Sequence, residues 1–517
     1  MTGGAAGVPA TCRVRIYPAA KVQALVLIGL LGSSTGSAQT WRVTPSINVS
    51  ETLTDNVSLA PSDRKQSDLI TQISPGISID GRSGRAQLNL DYRVSEILYL
   101  NQASSNNRQN NLSALGTLEA IDQWLFLEAS ANISQQAVSA FGPQPTTDGE
   151  INSNRAEART YRLSPYVRGQ LGGSADYQLR YDWTTTTAKG TQFAPTQVEQ
   201  WLGIVNGRTA GPLSWSVNAS QQVVHREPVR DSEESRFRGS LIYQLNSEIR
   251  MTALGGWERN NYAGVDSETS PTYGARVDWA PSPRTQMSAF KEKRQFGNAH
   301  EFTFTHRTPL TSWQLSDRKD ITSLPNQLII APRGTAYDLL FNQLSSSIPD
   351  PILRGRAVEA LLQQNGIPRD LGIAAGFLTT RVFVQRAQQA SVAFNGLRNV
   401  LTLAAARTES QAITGGASSA DAFSQASQIR QRSLSASWAH QLSALSSLNL
   451  FANQVRSSGS GGPSDLDSKQ SSLTLSLSHR IGANTYGTLG ARAVRFDTST
   501  GPGYREKALV ASVNMTF

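Results

Sequence analysis

From Trp41 to the last residue, apolar and polar positions alternate along the chain with a period of two. That period places successive side chains on opposite faces of an extended strand. In RAQLNLDYRV, Ala86, Leu88, Leu90, Tyr92 and Val94 take one face, and Arg85, Gln87, Asn89, Asp91 and Arg93 take the other. One face suits lipid and the other suits water. The pattern returns in ADYQLRYDW, LSWSVNA, RFRGSLIYQL, TYGARVDWA, SLTLSLSHR and the terminal ALVASVNMTF. About twenty-two such segments follow one another, each close to the roughly 9 to 11 residues that a tilted strand needs to cross a bilayer. The pattern predicts an all-β fold, a transmembrane antiparallel β-barrel. Short hairpins between residues 284 and 318 read either as wall strands or as loop extensions, which leaves the strand count between about eighteen and twenty-two.

The links between segments alternate in length, which a soluble sandwich has no reason to do. Short links such as DGRSG (80–84), IDQW (121–124), APSPRT (280–285), NGLRN (395–399) and RIGAN (480–484) take every second place. Between them lie long polar stretches, among them TDNVSLAPSDRKQSD, QQAVSAFGPQPTTDGEINSNRAEA, ESQAITGGASSADAFSQASQ and SSGSGGPSDLDSK. Short periplasmic turns and longer outside loops are the habit of outer-membrane barrels. In that orientation Trp41, Trp124, Trp215, Trp279 and Trp313 fall near the periplasmic ends of strands, and Trp183 and Trp257 near the outer ends. Amphipathic rings gather at both membrane interfaces. The final strand is expected to close against the first, and its alternating ending in Phe517 resembles the signal by which outer-membrane barrels are recognised for assembly.

Two segments break the pattern. At the N-terminus, Arg13, Arg15 and Lys21 precede the short apolar run ALVLIGLL and the small residues Gly36 and Ala38. This is the layout of a cleaved secretory leader, residues 1–38, with an apolar run far below the roughly 20 residues of a spanning helix. The second break is residues 321–377. Tyr337, Leu340, Phe341 and Leu344 have helical spacing, and DPILRGRAVEALLQQNG offers Asp350 as an N-cap, Pro351 at the first helical position and Asn365-Gly366 as a stop. Val358, Leu361 and Leu362 form one apolar stripe. The expected organisation is therefore a leader, a first barrel part (39–320), a helical insertion that caps or plugs the pore or simply orders its loop (321–377), and a closing barrel part (378–517).

Composition narrows the chemistry. The one cysteine, Cys12, lies within the leader, so the exported part has neither a disulfide framework nor a thiolate metal site. A formal net charge of +9 over 517 residues, partly lost with the leader, gives no argument for nucleic acid. His225, His300, His306, His440 and His479 show no metal-ligand spacing, and no cofactor is expected. FTFTHR and LSLSHR place a histidine beside a Thr or Ser that must point to the opposite face, so a local hydroxyl–histidine pair is not expected. A hydrolase assembled from neighbouring strands would need Ser, His and carboxylate on one rim; no motif argues for one, and the chain reads as a non-enzyme. The candidate functional residues are charged ones on the water face: Asp91 with Arg93, Arg180 with Asp182, Arg276 with Asp278, and Arg236 with Arg238. They line a lumen that guides an anionic polymer, or they neutralise one another across strands and stiffen the wall.

Several segments carry a family resemblance. WRVTPSINVSETLTDNVSLAP, DLITQISPGISIDG, IPDPILRGRAVEALLQQNGIP and TTRVFVQRAQQASVAFNGLRNVLTL are similar to the PEP-CTERM system-associated outer-membrane protein family. The resemblance covers nearly the whole exported chain. It implies a porin-like barrel in the outer membrane of a Gram-negative bacterium, associated with exopolysaccharide secretion and an exosortase-type sorting system. The expected partners are outer-membrane lipid, the barrel-assembly machinery, exopolysaccharide and periplasmic export proteins. The alternative is a non-conducting barrel that anchors or binds polysaccharide or export components.

Overall fold

The computed structural model describes residues 40–517 apart from 191–192, 210, 227–228, 263, 265, 414–420 and 463–464, and within 323–375 only Tyr337, Phe341, Arg354, Gly355 and Val358. The expected leader lies outside the described residues. The strands are β1 (Thr40–Thr54), β2 (Asp68–Arg82), β3 (Ala86–Tyr99), β4 (Asn107–Ile121), β5 (Leu125–Ala137), β6 (Arg155–Leu171), β7 (Ala175–Lys189) and β8 (Thr196–Arg208). They continue as β9 (Leu213–Arg226), β10 (Val229–Gln244), β11 (Ile249–Asn260), β12 (Glu268–Ser282), β13 (Thr285–Arg294), β14 (Gly297–Arg307) and β15 (Thr311–Thr322). The last seven are β16 (Phe383–Asn395), β17 (Asn399–Ala412), β18 (Gln428–Gln441), β19 (Ser446–Ser460), β20 (Leu466–Gly482), β21 (Thr485–Thr498) and β22 (Tyr504–Thr516).

Each strand pairs antiparallel with its neighbours in sequence, and β22 returns to β1 with Ser46 opposite Thr516 and Thr54 opposite Ala508. The 22-stranded sheet is therefore a closed barrel, with no edge left unpaired. The hairpins between 284 and 318 belong to the wall as β13, β14 and β15. Among the described residues no helix is long and apolar enough to cross a membrane. Among the described residues helix is confined to a 3-10 turn at Ala103–Ser105, one turn at Ala422–Gln425, and the five described residues of 323–375. In that last group Tyr337 stacks on Phe341 at 5.7 Å, Arg354 covers Phe341 at 4.6 Å, and Val358 is buried. Of the rest of the expected insertion, Ile321 and Thr322 belong to β15, Gly376 and Phe377 are described, and the remaining residues lie outside the described residues.

Register separates the two faces of the wall. Val49 on β1 pairs with Ile73 and Val513, Leu53 with Leu69 and Leu509, and all are exposed apolar side chains. The opposite face carries side chains that reach over intervening strands, such as Glu128 of β5 to Arg180 of β7 and Arg238 of β10 to Glu292 of β13. Only a concave surface brings them together, so this face is the lumen and the apolar one is the exterior. Trp41, Trp201, Trp257, Trp279 and Trp313 stand exposed on the exterior, and the Trp124 indole donates to the Tyr177 hydroxyl at 3.1 Å.

Candidate functional site: a lidded, charged lumen

At the long-loop end, residues 138–154 fold into the barrel. The loop leaves β5 and enters β6, yet its middle is held on the far wall. Gln144 N–H donates to Gln470 Oε1 on β20 at 2.8 Å, and Gln470 Nε2 donates back to the Gln144 carbonyl at 2.8 Å. Phe141 is buried with Ala140, Phe377, Phe383, Phe423, Ala426 and Ile429 in one apolar cluster. The loop then passes the barrel's first strands, where Ile151 N–H donates to the Val57 carbonyl at 3.2 Å and the Tyr99 hydroxyl donates to the Gly149 carbonyl at 3.2 Å. Arg155 fixes its return by donating to the carbonyls of Thr147 and Asp148, each at 2.7 Å. A second segment crosses beside it: Phe377 bridges Ala137, Leu378 N–H donates to the Ala137 carbonyl at 2.9 Å, and Arg226 of β9 donates to the Thr380 carbonyl. Together the two segments make a lid.

One buried charge group ties the lid to the closing strands. Arg492 of β21 lies 2.7 Å from Glu506 of β22 and 3.4 Å from Glu150 of the lid, and Thr54 donates to Glu506 at 2.9 Å. All three charged residues are buried. Burial pushes the Glu150 carboxyl above its ordinary range, against the pull of Arg492, and the Glu506 charge adds to that push. One guanidinium faces two carboxylates here, which favours taking up a proton.

Below the lid the lumen wall is ionic. Arg162 lies 2.7 Å from Asp182 and 3.5 Å from Glu128, and Arg180 lies 3.4 Å from Glu128 and 3.9 Å from Asp182. Beside them Phe126 stacks on Tyr166 at 5.0 Å, with Arg168 over Phe126 at 4.2 Å and Arg180 over Tyr166 at 4.4 Å. Further round, Arg294 reaches Glu234 at 2.8 Å, Glu258 at 2.7 Å and also Asp320, while Arg236 pairs with Glu234. Arg238 donates to Glu292 at 2.8 Å. Arg276 approaches Glu301 at 3.6 Å and Asp278 at 4.0 Å, and Ser288 donates to Asp278 at 2.7 Å.

All eight charged residues singled out in the sequence lie on this inward face. Six of them, Arg180, Asp182, Arg236, Arg238, Arg276 and Asp278, join cross-strand groups; for five the contacts to other strands are shorter than any to a same-strand neighbour, whereas Arg236 pairs most closely with Glu234 of its own strand and lies 3.8 Å from Glu258 of β11. Asp91 and Arg93 lie exposed on β3. Sequence reasoning missed Glu150, Gln144, Gln470 and Arg492. The one local signal was the apolar SAFG within an otherwise polar loop.

The histidines lie on the outer wall and take partners from neighbouring segments. Thr285 meets His306 Nδ1 at 2.9 Å and Ser446 meets His479 Nδ1 at 2.8 Å, so cross-strand register makes pairs that local sequence does not. No carboxylate bonds the His479 ring among the described residues, and a hydroxyl–imidazole pair without an orienting acid lacks the third member of a triad. Among the described residues no group of His, Cys, Asp and Glu is arranged to hold a metal ion.

No protein-family model matches the sequence, and no curated protein matches it. Among solved structures, the FrpB iron transporter from Neisseria meningitidis aligns with 92% of this chain and 82% of its own, at 9% identity and a TM-score of 0.49. The siderophore receptor PirA from Pseudomonas aeruginosa aligns with 92% and 80%, at 10% identity and a TM-score of 0.37. OpdO of Pseudomonas aeruginosa aligns with 92% and 97%, at 9% identity and a TM-score of 0.35. The closed barrel described above rests on the strand pairing of this chain itself.

Proposed function

We propose that the barrel sits in the outer membrane of a Gram-negative bacterium, long loops outward, and that its lumen is a gated path in exopolysaccharide secretion. The observation that carries the gate is the 138–154 lid, pinned across the mouth by Gln470 and Arg492. An apolar exterior and an ionic lumen suit a water-filled passage through lipid. The paired aromatic rings and flanking charges near Arg180 offer a polar polymer both stacking faces and hydrogen bonds. Exopolysaccharide as cargo, and periplasmic export proteins and the barrel-assembly machinery as partners, draw on the resemblance to the PEP-CTERM-associated family.

A second reading, a non-conducting anchor, is favoured by the same lid's firm seating on both walls. Single-channel recording of the refolded protein in planar bilayers separates them. A gated pore gives rare openings, a steady conductance once the lid is released by Gly459→Val, and block by added exopolysaccharide. Silence from both forms, with heat-modifiable gel mobility proving that each is folded, makes the barrel an anchor.

A further inference from the structure

On the exterior of β17–β20, at the long-loop end, basic residues stand directly opposite one another. Arg407 faces Arg432, Arg432 faces Arg456, and Arg456 faces Lys469. Next to this row Arg495 of β21 faces Arg505 of β22, with Lys507 on the same face two residues on. Like charges placed across a ladder destabilise a sheet. Nearby acids offset part of this: Glu409 accepts from Arg407 and, at 2.8 Å, from Arg430, Asp467 accepts from Arg456 at 3.2 Å, and Asp497 accepts from Arg495 at 2.8 Å. Arg432, Lys469, Arg505 and Lys507 are exposed and have no ion-pair partner among the described residues, although Asp497, which accepts from Arg495, stands opposite Lys469 across the β20–β21 ladder. Arg432 is the extreme case, with a cation on each side and Arg430 two residues away.

Toward the short turns this face becomes apolar: Leu434, Ala436 and Trp438 follow on β18, and Leu473, Leu475 and Leu477 on β20. The basic row thus lies along the upper border of the apolar wall. The belt continues less densely over β13–β16 through Lys291, Lys293 and Lys319, while Arg386 there is neutralised by Asp317 at 2.6 Å. From β1 to β12 the corresponding rim is different. There Glu96 pairs with Arg108 at 2.7 Å, Glu157 pairs with Arg159 at 2.6 Å and lies opposite Lys189, Glu51 and Glu199 add negative charge, and Arg259 is a single cation between Ser235 and Thr269. The unneutralised positive charge is therefore one-sided.

We propose that the exterior of β17–β22 binds the phosphorylated headgroup of an outer-leaflet glycolipid, its phosphates between Arg432 and Lys469 and its acyl chains over Leu434 and Leu473. Guanidinium groups take phosphate in bidentate fashion, and a multiply charged anion removes the repulsion within the row. The apolar wall directly below the cations selects a lipid over a soluble phosphate. This inference rests on the outer-membrane placement above and is independent of whether the lumen conducts.

The test uses the full exported chain refolded into phosphatidylcholine vesicles, with or without diphosphoryl lipid A, reading the temperature at which the compact gel band is lost. The expected result is an upward shift with diphosphoryl lipid A that is lost with dephosphorylated lipid A and with the Arg432→Gln/Lys469→Gln double variant, and kept in Arg108→Gln. No shift in the wild type, or an equal shift with the dephosphorylated lipid, overturns the site. An equal shift with inorganic phosphate alone overturns the lipid assignment. The wild-type lipid series decides even if the double variant fails to fold. Failure of the wild type to insert into plain phosphatidylcholine would instead remove the membrane placement, a separate outcome.

Discussion

Arg492 shows how much one side chain carries in this barrel. It lies between Glu150 and Glu506, all three buried, so Arg492→Met leaves two carboxylates without their cation. Losing one partner of a buried ion group costs about 3–5 kcal/mol, which urea unfolding of the folded barrel should register as a lower midpoint. Glu150 makes lid closure sensitive to pH. Its pKa is raised when the lid is shut, chiefly by burial, and returns to the ordinary carboxylate range when the lid opens. Closing therefore takes up a proton. Closure is most favourable below the ordinary carboxylate range, weakens as pH climbs from there to the raised value, and then levels off. Arg492, Arg155 and Glu506 are the charged groups around it. Open probability in single-channel records should rise with pH across that window, and Glu150→Gln should flatten the dependence. The charged lumen residues were legible because Arg180 and Asp182 share a strand face. Their principal partners, Glu128 and Arg162, come from other strands, and single-strand periodicity does not give register.

At the scale of an element, a strand of this wall has one face for lipid and one for water, one residue apart. On β20, Leu475 is an exposed apolar exterior residue and Ser476 points inward. Leu475→Arg should lower the stability of the barrel in lipid by about 2–4 kcal/mol, while Ser476→Arg should change it by less than about 1 kcal/mol. Equal effects in a bilayer unfolding titration would mean that the faces are assigned wrongly. The lid follows a different logic. At Gly459 an added Cβ would lie 2.6 Å from Phe141 Cζ and 2.7 Å from Ala426 Cβ, so this wall glycine is the space in which the lid's phenylalanine rests. Gly459→Val should displace Phe141, making the 138–154 loop a protease target while the barrel band on gels stays intact. Residues 135–158 read in the sequence as a polar outside loop because alternation stops there. Their inward course depends on Gln470 and Phe377, far along the chain.

For the whole molecule, closure of the sheet is the decisive event. Pairing of β22 with β1 leaves neither strand with a free edge, so removing Tyr504–Phe517 exposes backbone donors and acceptors of β1 and β21 to lipid. The truncated chain should give no heat-modifiable species on refolding. The amino-acid sequence by itself determined that the chain is built of strands with one apolar and one polar face, which face of each is which, and which links are short, because period-two alternation and turn composition are local properties. It left β13–β15 open because Gln295 and Phe296 make only a tight turn at the long-loop end, where long links were expected. Tertiary structure decided the count of 22, the inward fold of residues 138–154, the cross-strand ion groups and the row from Arg407 to Lys469. Each of these depends on which residues of different strands stand opposite one another. Register is set by the sum of all pairings around a closed ring, and no single segment contains it.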